Sequence, residues 1–239
     1  MFDQALRRAR ESAYAPGEFA GQESFMRASE ILALARRAGI APGVSVLDLC
    51  CGVAGPGRLI TAELGCDYLG IDVSAAAIEI ARERAAGLPC RFEVCEIPPV
   101  PPGPFDVVLL LETMLAFRDK AMLLRGVAEA LVAGGRFAFT FEEGRPLDAA
   151  ERAAMPDADT VWLTPLDELL ALLDDAGFVV RWQEDCSAAH RMVADALIAA
   201  FTAHAPDVAA RLLTSHRLWS AWLHAGRVRK FAFVAEKVG

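Results

Sequence analysis

Between Val44 and Phe141, short apolar runs alternate with segments of helical spacing, and this rhythm leaves the chain few architectures. VSVLDL (44–49), DYLGID (67–72), CRFEVC (90–95), FDVVLLL (105–111) and GRFAFTF (135–141) lack a clean in–out alternation. That is expected of strands in a sheet covered on both faces. Pro56 to Leu64, Ala75 to Ala86 and Lys120 to Leu131 carry helical patterns, with Ser74 placed to cap the second. Strand, helix and strand repeated in this way pair in parallel through right-handed crossovers, which predicts a doubly wound α/β sheet.

After Phe141 the rhythm changes. Residues 142–165 read as a polar, proline-bearing loop with one short helix, and Leu166 to Ala176 as a helix ended by Gly177. FVVRWQ (178–183) is a strand, 189–224 holds two or three helices broken at Pro206, and RVRKFAFVAEK (227–237) closes as a strand. No crossover helix of ordinary length joins the last pair across the sheet, so those strands are expected to be antiparallel neighbours. The 239 residues are 54% hydrophobic, enough for a sizeable core, which excludes wholesale disorder.

Charge and cysteine usage narrow the partners. With 32 acidic and 24 basic residues the net charge is −8, which argues against a nucleic-acid partner. The six cysteines form no CxxC pair and have no histidine at metal-ligand spacing, so reduced thiols and no metal are expected. The first residues are charged from Asp3 to Glu11 and contain no apolar leader core, and runs such as Val107 to Leu111 are far too short to span a bilayer. A cytoplasmic protein without membrane association is expected.

The segment Val46-Leu-Asp-Leu-Cys-Cys-Gly-Val-Ala-Gly55 carries the chemistry. An apolar strand runs into small residues and then a helix start at Pro56, so backbone N–H groups can approach a ligand beside a helix N-terminus. Asp72 ends the second strand about 20 residues after Gly52, the separation at which a carboxylate can hold both ribose hydroxyls. An adenosine-containing ligand follows. Read as Cys50-x-Gly52-x-x-Gly55, the loop is a dinucleotide fingerprint lacking its first glycine. A carboxylate at Asp48 would repel a pyrophosphate, yet it can receive the ammonium group of a methionine moiety.

Read as D-x-C-x-G-x-A-G, the segment resembles the S-adenosylmethionine loop of class I methyltransferases, VLDLGCGTGG, with Cys50 and Ala54 at two glycine positions. RFEVCEIPPVPPGPFDVVLL and LVAGGRFAFT are similar to the family's third-to-fourth strand region and to its turn before strand five. The resemblance implies a Rossmann-like seven-stranded sheet with an antiparallel last strand, capped by the N-terminus and a 187–226 insertion. It implies one domain, with a lid over 1–40, a cofactor core over 41–141 and substrate-side elements over 142–239. The implied cofactor is S-adenosyl-L-methionine, held by Asp48, Cys50, Gly52, Ala54, Gly55, Asp72, Val73, Glu96, Ile97 and Glu112. Glu96 would accept the adenine amino group and Ile97 would lie against the ring.

The chain also resembles phosphoethanolamine and sarcosine–dimethylglycine N-methyltransferases, whose lid is similar to Tyr14 to Met26, so Tyr14, Phe19 and Gln22 are lid candidates. Many relatives carry E-x-x-x-H after strand four; here Glu112 is kept and Ala116 stands at the histidine position. Methyl transfer from a sulfonium is an in-line displacement that needs no general acid, only alignment and a free lone pair on the acceptor. Glu142, Tyr14 and His190 are the catalytic candidates; Glu142 and Glu143 together could hold a cationic amine, and Trp162 could stack on it. His216, Arg217 and Trp219 are further candidates on the last helix, while His204 and His224 are structural. The expected reaction is methylation of a small molecule, first at an amine nitrogen, second at oxygen or carbon of a natural product. A binding protein of the same fold without methyl transfer is the rival, motivated by Ala116.

Overall fold

The computed structural model describes residues 4–238; Met1 to Asp3, where the charged N-terminal stretch and the 1–40 lid begin, and Gly239, the end of the 142–239 segment, lie outside them. In chain order the elements are α1 (Gln4–Ala13), α2 (Ala28–Arg37), β1 (Ser45–Leu49), α3 (Gly55–Leu64), β2 (Asp67–Asp72), α4 (Ala75–Arg84), β3 (Cys90–Val94) and β4 (Phe105–Leu110). There follow α5 (Lys120–Ala130), β5 (Leu131–Glu143), α6 (Ala149–Ala154), α7 (Leu166–Asp175), β6 (Phe178–Asp185), α8 (Ser187–His204), α9 (Ala210–His224) and β7 (Arg229–Lys237). The seven strands lie in the order β3-β2-β1-β4-β5-β7-β6, and β7 pairs antiparallel with both neighbours. The reversed final hairpin and the five parallel strands are those the apolar runs predicted.

Local chemistry sets the boundaries. The Ser74 hydroxyl accepts the Ala77 N–H at 3.2 Å and starts α4. Gly177, at φ +80°, ends α7 in the left-handed region that a side chain disfavours. In the polar 142–165 segment, Asp148 and Glu151 form a reciprocal capping box that starts α6.

Side chains alternate between two buried layers. Leu47, Leu49, Val108, Leu110, Phe137 and Phe139 pack under α5 and α7, whereas Val46, Tyr68, Val107 and Leu109 face α2, α3 and α4. Truncating a fully buried phenylalanine such as Phe139 to alanine would cost about 3–5 kcal/mol. Helix α2 therefore belongs to the sheet's covering layer. The cap is built from α1, α8 and α9, where Ala9 and Tyr14 pack on Val193, Leu197, Phe201 and Leu213. Among the described residues no helix is long and apolar enough to cross a membrane.

The order reverses between β1 and β4, so a crevice opens outside their carboxyl ends. Both the small-residue loop and Glu112 leave the sheet there.

Candidate active site

Beyond Leu49 the chain passes through Cys50 (φ +60°), Gly52 (φ +53°) and Ala54 (φ +58°) before α3 begins. Cys50 and Ala54 carry a Cβ into left-handed backbone, at a cost of roughly 1 kcal/mol each. A Cβ at Gly52 would meet nothing within 4 Å, so its α-carbon faces open space. The Gly52 N–H donates to Asp72 Oδ2 at 2.9 Å, the Ser74 N–H donates to Oδ1 at 2.8 Å, and the Cys95 N–H donates to the Asp72 carbonyl at 3.0 Å. Each Asp72 oxygen keeps a lone pair for a hydroxyl.

This loop lines a cavity of about 280 Å³ with Asp48, Asp72, Glu112 and residues Gly21 to Ser24. Asp48 is buried, and Tyr68 donates its hydroxyl to Oδ2 at 2.5 Å. Burial, with a smaller contribution from Asp72, pushes the Asp48 carboxyl up to about 7 against the opposing pull of the Tyr68 hydrogen bond. Val73 is 70% exposed beside the loop, an apolar side chain without an apolar cover. Glu96 is exposed and Ile97 half-buried just beyond β3; neither lines this cavity. An open α-carbon, carboxylates at two strand ends and an uncovered apolar side chain suit a ligand carrying an ammonium, a ribose and a purine.

A second cavity of about 170 Å³ adjoins the first, sharing Glu23, Ser24 and Glu112. Its wall includes Phe25, Glu142, His190, His216 and Trp219. Behind it lies Lys230, almost fully buried, whose ammonium donates to Glu142 Oε1 and lies 2.5 Å from Glu112 Oε1. Glu112, at φ +64°, donates its N–H to Thr140 Oγ1 at 2.6 Å and accepts the Phe25 N–H on Oε2 at 3.3 Å. His190 Nε2 is 3.8 Å from Glu112 Oε2.

The electrostatics separate these acids. Burial opposes ionisation of Glu112, yet Lys230 and His190 outweigh it and hold its carboxyl down at about 2. Burial raises Glu142, Lys230 opposes that and Glu112 adds to it, so this carboxyl stays above its ordinary range. Lys230 resists its own burial through the two carboxylates and stays charged. Burial drives His190 down to about 3 and His216 to about 4, so both imidazoles are neutral near pH 7. Glu142 Oε2 is buried without a hydrogen-bond partner.

A family described as a methyltransferase domain matches residues 46–135. An uncharacterized methyltransferase of Synechocystis is 30% identical over 59% of this chain and 69% of its own length. The chain belongs to the class I S-adenosylmethionine-dependent methyltransferases. Phosphoethanolamine N-methyltransferase 3 of Arabidopsis thaliana is 37% identical over 41% of this methyltransferase, which matches about a fifth of the plant enzyme's length (21%). Phosphoethanolamine N-methyltransferase 2 of Haemonchus contortus, in complex with S-adenosyl-L-methionine, superposes with a TM-score of 0.74 at 19% identity. That superposition covers 97% of this chain and 56% of the nematode one. The cofactor of this methyltransferase is S-adenosylmethionine.

Several residues of the methyltransferase sit differently from their sequence reading. Tyr14 is buried in the cap and donates its hydroxyl to the Ser24 carbonyl at 2.5 Å, and it lines neither cavity. Gln22, 1% exposed, ties the lid segment internally through Ala20, Glu18 and Met26, and Phe19 packs on Tyr14. Glu143 does not act beside Glu142: strand residues alternate faces, and Glu143 accepts from Arg229 Nε at 3.0 Å. Trp162 packs against the Arg118 and Arg152 guanidiniums, 4.8 and 4.6 Å from its ring centre, and lines neither cavity. Arg217 is exposed and lines neither cavity.

Ala116 is exposed in the turn after Glu112, and an imidazole reaches the cavity from α8 instead, at His190. Lys230 was missed. It follows the exposed Arg229 at the start of β7, is the first buried position of that strand, and lies in antiparallel register with Glu142.

Proposed function

We propose that this methyltransferase methylates an amine nitrogen of a small molecule bound in the cavity of Glu142, His190, His216 and Trp219. The observation that carries the reading is Glu142 Oε2: a buried, unpartnered acceptor on a cavity wall, beside an oxygen already held by Lys230. An acceptor there needs a donor, and an amine or ammonium N–H supplies one. The raised carboxyl of Glu142 is also suited to receive a proton, because its ionised form is the strained one. The likeness to phosphoethanolamine N-methyltransferases supports nitrogen as the acceptor atom.

When bound, S-adenosylmethionine supplies a methyl group on a sulfonium with a neutral leaving group. The residues that would hold it are Asp48 at the methionine ammonium, Asp72 at the ribose, and Val73, Glu96 and Ile97 around the adenine. Cys50, Gly52, Ala54 and Gly55 would shape the loop against it. Glu112, kept ionised, stands between the two cavities and orients the acceptor's cationic end. His190, neutral and buried with Phe25 edge-on at 4.5 Å, excludes water and aligns that end. Tyr14 and Gln22 hold the lid in place without touching the acceptor.

Incubation with methyl-labelled S-adenosylmethionine and a panel of small amines, phenols and carboxylic acids tests the proposal. Label is expected in one or more amines. Label confined to phenols or acids would move the acceptor atom to oxygen. Tight S-adenosylhomocysteine binding with no labelled product from any acceptor would favour the binding-protein reading.

A further inference from the structure

Beside the lid segment lies a hollow of about 280 Å³ whose wall includes Arg7, Arg10, Arg84, Phe19, Gln22 and Glu23. Arg58, on α3, adjoins it: its Nη1 lies 3.9 Å from where a Cβ of Gly21 would be. In a chain of net charge −8, four guanidiniums converge here from α1, α3 and α4. None of them makes a side-chain hydrogen bond or ion pair among the described residues. Arg58 Nε is buried and unpartnered, and Arg10 is held over the Phe201 ring at 5.7 Å. Glu23 is the one carboxylate on the wall, and it is exposed.

We infer that Arg7, Arg10, Arg58 and Arg84 form a binding site for a compact phosphate-bearing anion, which fastens the lid helix to the cofactor half. Guanidiniums present several donors in a planar fork that matches phosphate oxygens in pairs. Concavity favours a small ligand over an extended surface. Mutual repulsion supports the same reading: burial and the nearby Arg7 and Arg58 lower Arg84, so an anion placed among them relieves an existing cost. Because Gly21 to Glu23 also line the cofactor cavity, anion and cofactor binding should be coupled, and the coupling must be reciprocal.

Calorimetric titration of the whole protein with inorganic phosphate and pyrophosphate, at fixed ionic strength, tests this with and without S-adenosylhomocysteine. Saturable 1:1 binding of pyrophosphate is expected, with S-adenosylhomocysteine bound about fivefold or more tightly once the site is filled. In R7Q/R84Q, pyrophosphate binding should weaken at least about tenfold while S-adenosylhomocysteine still binds, which also reports a folded protein. R10Q, which removes one guanidinium where the double variant removes two, should show a smaller loss of the same kind. Absence of saturable binding, or equal binding by the double variant, would overturn the inference. So would competition between pyrophosphate and S-adenosylhomocysteine, because it would place the anion on the cofactor loop instead.

Discussion

Lys230 faces Glu142 across the antiparallel pair of β5 and β7, and its ammonium also lies 2.5 Å from Glu112 Oε1. One cation thus serves two carboxylates that leave neighbouring parallel strands, β4 and β5, at their carboxyl ends. The arrangement ionises Glu112 and leaves Glu142 as the group with proton affinity to spare. It also sets the stability of the site.

Lys230→Met should therefore be costly to the fold. It leaves two buried carboxylates without their cation, a change worth about 3–5 kcal/mol. Chemical denaturation at pH 7 checks the size of the loss. Lys230→Met combined with Glu112→Gln and Glu142→Gln should recover most of it, since no uncompensated charge remains.

Asp48 gives cofactor binding a pH dependence. Its carboxyl sits at about 7, so the ionised form that attracts an ammonium grows as pH rises through that value. Affinity for S-adenosylhomocysteine should increase roughly tenfold between pH 6 and pH 8. Asp48→Asn should bind more weakly with a flat profile over the same range, as calorimetry at several pH values would show.

The buried imidazoles make the protein acid-sensitive. His190 and His216 have folded-state values lowered to about 3 and about 4, against 6.5 when unfolded. The unfolded chain therefore binds the extra protons, and the stability these groups contribute is complete above pH 6.5 and lost as pH falls. The slope approaches about 1.4 kcal/mol per pH unit for each imidazole. His190→Gln should lose about 2 kcal/mol less than the parent between pH 7 and pH 5, read from denaturation midpoints.

Gly55 joins the cofactor loop to the lid. A Cβ there would lie 2.5 Å from the carbonyl carbon and oxygen of Gly21, so the two backbones pass with no room between them. Gly55→Ala should displace the lid segment and weaken S-adenosylhomocysteine binding by about 1–3 kcal/mol, while the sheet keeps its stability.

Much of this is legible in the sequence. The strands, the reversed final hairpin, the Ser74 cap and the Gly177 stop all follow from local chemistry, because propensity and tertiary packing agree there. The loop resemblance puts Cys50 and Ala54 at two glycine positions, and both adopt left-handed backbone despite their side chains. The acceptor site was less legible because its members are distant in sequence. Glu112, His190 and His216 meet only through the way α8 and α9 fold over the sheet. Glu142 could not be told from Glu143 without the phase of β5, and Lys230 was hidden in an apolar strand that makes its partner visible only in register. Tyr14 is singled out only by the lid resemblance, and its hydroxyl is given to the Ser24 carbonyl.

The most direct test compares Glu142→Gln with the parent on whichever amine accepts the label, measuring kcat together with the Kd for S-adenosylhomocysteine. The expected result is a fall in kcat of about a hundredfold or more, with Kd within about twofold of the parent. A kcat unchanged within about twofold would contradict a role for this carboxylate in amine methylation.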